Sequence, residues 1–534
     1  MKAKSIRTLA LLLVLSLVIS LFAACTNNNA NEPAAEPTKA ANKEEPTVET
    51  PATATEGLDL SEKVELQFWM LGGEAKDLPK IQAEINKMAL EELNATVKFN
   101  FTTWTDWEQK YRLLLTSGQE VDLIFTAEWT QYQQYAKQGA FMALDDLLPV
   151  AAPKLYDFVP QEMWDAVRID GKIQTVPATW KEYVTTGIVY REDLRKKHNL
   201  PIPVDTATYE QYMDGIKANE PGIEPMATGV NASNVFHDAA HREMKNDLVV
   251  ASGALPYGLN VMYDSPGTVT SYYGSPEQLE DLKLYKSWAD KGFWSRNVLT
   301  RQDSGQDLLI SGTAASFPAD NPTRFNDTSI KMKAAHPDWE LGYSAFPLQR
   351  GYAIPVHPIH NGFAVPKNSK NPERALAFYE KMVTDKRYNW LTEYGIEGTN
   401  FEVVDGKYYK MIGSTETNGF PREAMQGWAW RNPEFQLFDK SFDTVLAMFD
   451  EFDKIAVPDK YLGFVEDQSP YQAERAALEQ VEKQYLQPLQ VGLVPDIEKG
   501  LATFLEKAKE AGLEKIQAEW TKQWLAYVEE NGIK

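Results

Sequence analysis

The sequence predicts an α/β protein whose folded body divides into two lobes or more, and three observations carry that expectation. Apolar strand patterns alternate with amphipathic helix patterns through residues 64–125. The chain runs to 534 residues, 43% hydrophobic and 11% aromatic, which is more than one core normally organises. A leader and a polar stretch take up the first 58 residues and leave the remainder to fold.

The leader is basic at Lys2, Lys4 and Arg7, apolar from Leu9 to Phe22 except at Ser16 and Ser20, and closes on Ala23 and Ala24. Basic, apolar and small regions in that order make a secretory signal peptide. Its apolar run of roughly 14 residues is shorter than the ~20 that cross a bilayer. Cys25, the only cysteine in the chain, follows at once, where a bacterial lipoprotein is cut and acylated. Residues 1–25 therefore read as signal peptide and lipobox, with a diacylglyceryl anchor on Cys25 and the protein held on the outer face of the cell membrane. Residues 26–58 are rich in Asn, Ala, Glu, Pro and Thr and carry no aromatic ring. They lack the apolar surface for a core and read as a solvated, disordered stalk. With its one cysteine in the anchor, the body has none left for an internal disulfide.

The body opens with Val64, Leu66 and Phe68 alternating with Glu65 and Gln67, the period of a half-buried strand. After a loop at Leu71-Gly72-Gly73, Pro79 suits a first helical turn, and Ile81, Ile85, Met88 and Leu93 follow at helical spacing. Val97, Phe99 and Phe101 make the next strand. A helix from about Asp106 to Leu115 leads to a third strand at Val121–Phe125. Short connections between these elements imply parallel pairing through right-handed crossovers, hence an open sheet. Ligands of such sheets collect at the carboxyl ends of the strands, here the loops Trp69–Gly73, Thr102–Asp106 and Thr126–Trp129.

Farther on, Ser275-Pro276-Glu277 caps a helix with Leu279, Leu282, Tyr285 and Trp288 on one face, stopped at Gly292. Asn371-Pro372-Glu373 opens another, with Ala375, Phe378 and Met382. Between them, Gly312–Asn321 reads as a strand of small residues with a polar exit. Residues Ile497–Val528 read as helices, with Trp520 and Trp524 one turn apart. No internal repeat is present.

The 76 acidic residues outnumber the 54 basic ones, for a net charge of -22. That balance argues against nucleic acid and against electrostatic adhesion to anionic lipid. It leaves a neutral or organic solute. The chain has no Gly-x-Ser-x-Gly elbow, phosphate loop or His-Glu-x-x-His motif. His237 and His241 are four apart but have no Glu between them and no third ligand, so a solvated helix is expected there rather than zinc. His357 and His360 bracket Pro358-Ile359 and read as hinge or loop packing. Asp145-Asp146 lacks the spacing of a calcium loop. Neither cofactor nor metal is expected.

Several short segments, in their order, resemble the extracellular solute-binding proteins of family 1, the sugar-receptor branch of ABC importers, and among them the LipO-like lipoproteins. They are Asp122-Leu-Ile-Phe-Thr126, Gln138-Gly-Ala-Phe-Met-Ala-Leu-Asp145, Asp170-Gly-Lys-Ile-Gln-Thr-Val-Pro177 and Gly187-Ile-Val-Tyr-Arg-Glu-Asp-Leu194. Gly312–Ser316, Asn361-Gly-Phe-Ala-Val-Pro366 and Tyr394-Gly-Ile-Glu-Gly398 continue the match. The region around Leu462–Pro470 is similar to a C-terminal domain of unassigned role in these lipoproteins.

The resemblance implies a two-lobe, type II-like periplasmic-binding-protein fold, with chain crossings near Thr175–Val184 and Val356–Gly362. The first lobe would hold 59–178 with 360–395, and the second 179–359 with 396–534, including the C-terminal helices. Ligand would bind between lobes that close by hinge motion, which the permease of the importer would recognise. A monomer is implied.

Sugar rings stack their C–H faces on aromatic rings, while their hydroxyls need paired polar groups. Trp69, Trp104, Trp129, Trp180, Trp428 and Trp430 lie in expected loops or crossings, beside Glu74, Asp106, Glu128, Glu182 and Arg431. Each of these indoles has a second reading as a packing residue. Trp288, Trp390, Trp520 and Trp524 sit on helical faces and read as core. Asp320 and Asn321 suit sugar hydroxyls or a strand-to-helix turn, and Glu397 suits the cleft or a turn cap. The expectation is a lipid-anchored, non-catalytic receptor for an oligosaccharide. Its alternatives are a receptor for a peptide or other organic solute, a sensory lipoprotein, and a surface glycoside hydrolase working through two carboxylates.

Overall fold

The alternation read from residues 64–125 sets up the first sheet. In the computed structural model, Val64–Leu71 (β1), Ala95–Thr102 (β2) and Leu123–Thr126 (β3) are joined by the helices Leu78–Leu93 and Trp107–Thr116. The structure describes residues 58–534 except 105, 184–186, 231–234, 246–249, 251–254, 415–416 and 462, and except the side chains of 319 and 320. The expected signal peptide and anchor at Cys25, and residues 26–57 of the expected stalk, lie outside the described residues. β1 pairs in parallel with β2 on one side and β3 on the other. Helix Leu78–Leu93 buries Leu78, Ile81, Ile85, Ala89 and Leu93 as one stripe against this sheet. It ends where Asn94 turns left-handed and returns its N–H to the Ala89 carbonyl.

The rest of the chain builds a second sheet and then returns to the first. Val176–Pro177 (β4) lies in the first sheet, whereas Gly187–Arg191 (β5), Ser316–Asp320 (β6) and Leu341–Ala345 (β7) form the second, with β5 in the middle and both neighbours antiparallel to it. Gly362–Ala364 (β8) then inserts between β3 and β4, antiparallel to both. The strand orders are β2-β1-β3-β8-β4 and β6-β5-β7. The chain thus passes between the sheets after Pro177 and back before Gly362. Only glycine fits at 362, because a Cβ there would stand 2.6 Å from the Val176 carbonyl oxygen and 2.7 Å from Thr175 Oγ1.

Each sheet has its own core. The first gathers Phe68, Ile85, Phe125, Phe363 and Phe378; the second gathers Tyr209, Tyr212, Tyr285 and Trp288 with Leu501, Phe504 and Ile516 from the C-terminal helices. Residues 396–534 were expected together in the second lobe, and one part of them departs from that. Phe420, Met425, Ala429 and Trp430 belong to the first core. Trp430 packs against Phe68 at 6.4 Å and Phe363 at 5.7 Å, and the Tyr379 hydroxyl donates to the Ala429 carbonyl at 2.9 Å. A third cluster, Tyr183, Ala345 and Ala353 with Phe438, Phe442, Phe449 and Phe452, draws in the segments that flank the crossings.

The helix Phe236–Met244 also differs from its expectation as a solvated element. His237 and His241 are buried. His237 stacks on Trp294 at 4.5 Å and donates from Nε2 to the Gln490 carbonyl at 2.9 Å, while His241 bonds to Thr206 and Tyr285. Gln490 from the C-terminal region helps cover His237, Trp288 closes over His241, and burial pushes both imidazoles down to about 3, so they are neutral. Among the described residues no group of three or more His, Cys, Asp or Glu is placed to hold a metal, and no helix is long and apolar enough to cross a membrane.

Candidate functional site

Three loops meet at the carboxyl edge of the first sheet, and local hydrogen bonds shape each one. After β2, the Asp106 carboxylate accepts the Thr103 hydroxyl at 2.9 Å and the Asp106 N–H returns to the Thr103 carbonyl. That turn leaves Trp104 48% exposed. After β3, Thr130 Oγ1 accepts the Ala127 N–H at 2.8 Å and closes the short turn Glu128–Thr130, which ends on left-handed Gln131. Glu128 and Trp129 are thereby placed on the same edge. The third loop passes left-handed Gln426 into the turn Gly427–Trp430. A Cβ on Gly427 would fall 1.8 Å from Glu393 Oε1.

The loops bring three indoles into one patch. Trp104 stacks on Trp129 at 6.1 Å and 27°, and meets Trp428 at 6.0 Å. Phe125 braces both Trp129 and Trp428, at 5.6 and 6.4 Å, and Trp107 meets Trp129 edge-on at 6.2 Å. Trp129 and Trp428 are half-buried, so the patch is a supported aromatic surface with Trp104 outermost. The indole N–H of Trp129 donates to the His360 carbonyl at 3.2 Å, and that of Trp428 bonds to Glu423. Glu128 Oε1 lies 2.6 Å from His360 Nδ1.

Beneath this surface is a buried charge cluster. Arg431 pairs with Glu423, and Arg422 lies 3.4 Å from the same carboxylate. Burial would raise Glu423, but the two guanidinium groups outweigh it and hold the carboxyl below its ordinary range. Glu393 is fully buried, and burial raises it to about 7 despite Arg431. Asp327, on the helix Pro322–Ala335 that follows β6, is raised to about 6 by burial and by the Glu423 charge.

The structure sorts the residues singled out in the sequence. Trp104, Asp106, Glu128, Trp129 and Trp428 converge. Trp430 does not: it is fully buried in the first core, because its position two residues after Trp428 turns it inward. Arg431 is likewise enclosed, 3% exposed and committed to Glu423. Trp69 is buried in β1 with Lys110 4.9 Å from its ring. Trp180 packs on Phe438 at 5.2 Å, beside the crossing. Asn321 caps the helix Pro322–Ala335 by accepting the Arg324 N–H at 2.9 Å, and Asp320 ends β6 just before it. Glu74 and Glu397 are exposed on neighbouring turns; Asn400 rather than Glu397 bonds Asp77, at 3.2 Å. Sequence reasoning gave no site role to Trp107, His360, Glu393, Glu423 or Asp327. The spacing of Trp107 from Trp104 was a usable signal. His360 offered none, since Glu128 is 232 residues away.

Residues 73–388 match the model of a family described as bacterial extracellular solute-binding protein. The chain belongs to that family. Residues 460–529 of this solute-binding protein match a domain of unknown function, DUF3502. A carbohydrate ABC transporter substrate-binding protein of Streptococcus pneumoniae is 24% identical over 354 residues, 65% of this chain and 68% of the relative. In fold, the chain is similar to the N-glycan transport solute binding protein NgtS of Streptococcus pneumoniae, with a TM-score of 0.69 at 19% identity over 88% of this chain and 100% of the other. It is also similar to an HMO-binding, ABC-transporter-associated solute binding protein of Bifidobacterium longum infantis, with a TM-score of 0.63 at 14% identity over 86% and 98% of the two chains. The fold of this solute-binding protein is therefore the two-lobe α/β architecture of these receptors.

Proposed function

We propose that this solute-binding protein is the capturing receptor of a carbohydrate ABC importer, tethered outside the cell through Cys25, and that an oligosaccharide stacks on Trp104, Trp129 and Trp428. The observation that carries the reading is the supported patch of three indoles at the carboxyl edge of the first sheet. A pyranose offers apolar C–H faces to such a surface, and its hydroxyls find an acceptor at exposed Asp106. The carbohydrate named for the streptococcal relative and the glycans named for the structural neighbours support the same class. Capture without cleavage fits carboxylates that are already engaged, Asp106 by Thr103 and Glu128 by His360. The first lobe holds 59–178 with 360–395 and is joined by parts of 396–437, since Phe401, Tyr409 and Leu437 pack with Tyr394 while Phe420 and Trp430 enter the first core; the second lobe is built around the second sheet.

A thermal-shift screen of the chain processed at Cys25 against a panel of neutral oligosaccharides tests this. A ligand selective for the folded state adds about 2.7 kcal/mol of stability at a hundred times its Kd, and the melting temperature rises accordingly. Shifts with peptides and none with sugars would move the reading to a peptide receptor.

A further inference from the structure

We infer that His360 is a positioning residue of the aromatic surface, gripping Glu128 with its imidazole and Trp129 with its carbonyl so that the middle indole is tied to the chain crossing. The inference rests on the proposed sugar platform and adds to it a residue and a dependence on its ionisation.

Two consecutive residues of one turn bond to one residue of another: Glu128 Oε1 to His360 Nδ1 at 2.6 Å, and Trp129 Nε1 to the His360 carbonyl at 3.2 Å. Trp129 meets Trp104, Trp107 and Phe125. His360 ends the short turn Pro358–His360, which the His357 ring stiffens by accepting the Ile359 N–H at 3.3 Å. The next residue, Asn361, accepts the Ala178 N–H at 2.9 Å, and Val356 donates to the Glu182 carbonyl at 2.9 Å. The two crossing segments are thus joined on either side of the turn that holds Trp129. Motion of the crossings relative to the first sheet would load both bonds to His360, and through them the angle of the indole.

Around His360, Glu128 comes from the turn after β3, Glu182 from the segment after β4, and His357 from the same turn. The helix Gln161–Ala166 packs against the turn and carries Glu162 and Asp165, both exposed, with Asp165 paired to Arg168. β4 contributes no ionisable group. Burial alone would lower His360, but the hydrogen bond and charge of Glu128, with the charge of Glu182, outweigh it and leave the imidazole raised above its ordinary value. The imidazole is therefore charged below that raised value, and its charged pair with ionised Glu128 is lost as pH rises through it.

Two measurements on the full-length protein test the inference. The first needs no sugar. NMR titration of the six imidazoles, with His360 assigned through His360→Gln, is run beside near-UV circular dichroism of the wild type minus Trp129→Phe, from about pH 5 to about pH 9. His360 should titrate above the ordinary value and fall back toward it in Glu128→Gln. The Trp129 signal should fall over the same interval in the wild type and be flat with pH in Glu128→Gln and His360→Gln. A Trp129 signal that stays constant while His360 titrates would overturn the positioning role. In the second, affinity for any panel oligosaccharide that shifts the melting temperature should weaken about three-fold or more across that interval in the wild type, and not in His360→Gln. A panel with no binder defeats the receptor reading, while the sugar-free arm still decides the role of His360.

Discussion

Two pairs of stacked indoles invite comparison. Trp104 and Trp129 stand 6.1 Å apart at 27°, and Trp520 and Trp524 stand 5.8 Å apart at 14°. The geometries are close, yet Trp104 is 48% exposed while Trp520 and Trp524 are fully buried. Backbone context makes the difference. Trp520 and Trp524 continue the stripe of Leu513 and Ile516 on one helix face, under Phe464 and the strand residues Leu259 and Val261. Trp104 and Trp129 follow strands, at the ends where a parallel sheet stops covering its own side chains. Stacking alone therefore says nothing about role, and exposure at a strand end does.

The largest expected effect lies in the buried pair. Trp520→Ala should cost roughly 3 to 5 kcal/mol of stability in denaturant melts, since a large ring leaves a cavity that helix packing fills only in part. The sugar affinity of the folded protein should be unchanged. Affinity lost with stability intact would break the comparison.

The next effect concerns the charge buried beneath the exposed pair. Glu393 sits at about 7 in the folded protein, against an ordinary 4.5. The folded state keeps a proton that the unfolded state releases, so stability falls as pH rises from 4.5 to about 7 and then levels. At about 1.4 kcal/mol per unit the loss amounts to as much as ~3 kcal/mol. Glu393→Gln should remove this slope and be the more stable protein above neutral pH, as read by urea melts across pH.

Smaller again is the effect of the exposed pair on binding. Trp104→Ala and Trp129→Ala should each weaken oligosaccharide binding ten-fold or more, about 1.4 kcal/mol by calorimetry. Trp104→Ala should leave stability within about 0.5 kcal/mol, as for most surface substitutions. Stability losses with affinity spared at both positions would place the ligand elsewhere.

Cys25→Ala should change neither quantity. It separates address from binding: the protein is expected in the medium or as unprocessed precursor, by fractionation and immunoblot. A variant cleaved at the signal yet still membrane-bound would defeat the lipid anchor.

Much of the fold was legible because its signals are local. Alternation in Val64–Phe68, the helical stripe from Ile81 to Leu93, and capping by Ser275 each report the backbone over a few residues, whereas Asn371 opens its helix without a cap bond and turns its amide to Asp122. The strand-end loops after β2 and β3 followed from that order, and with them Trp104 and Trp129. Trp428 and Trp430 show where local reading stops. They lie two residues apart in a turn with no repeating period, and only the docking of residues 420–430 onto Phe68 and Phe363 buried one and left the other half-exposed.

The sequence by itself determined the strands and helices of residues 64–125, their α/β order, and the strand ends after which Trp104 and Trp129 stand. Each of these depends on periodicity, capping or composition within one segment. Tertiary structure alone decided that His237 and His241 are core residues, that Arg431 is locked to Glu423, and that His360 meets Glu128 and Trp129. Those outcomes depend on which distant surfaces come together to exclude water. Burial and pairing across 232 residues are properties of the packed molecule and leave no periodic trace in the chain.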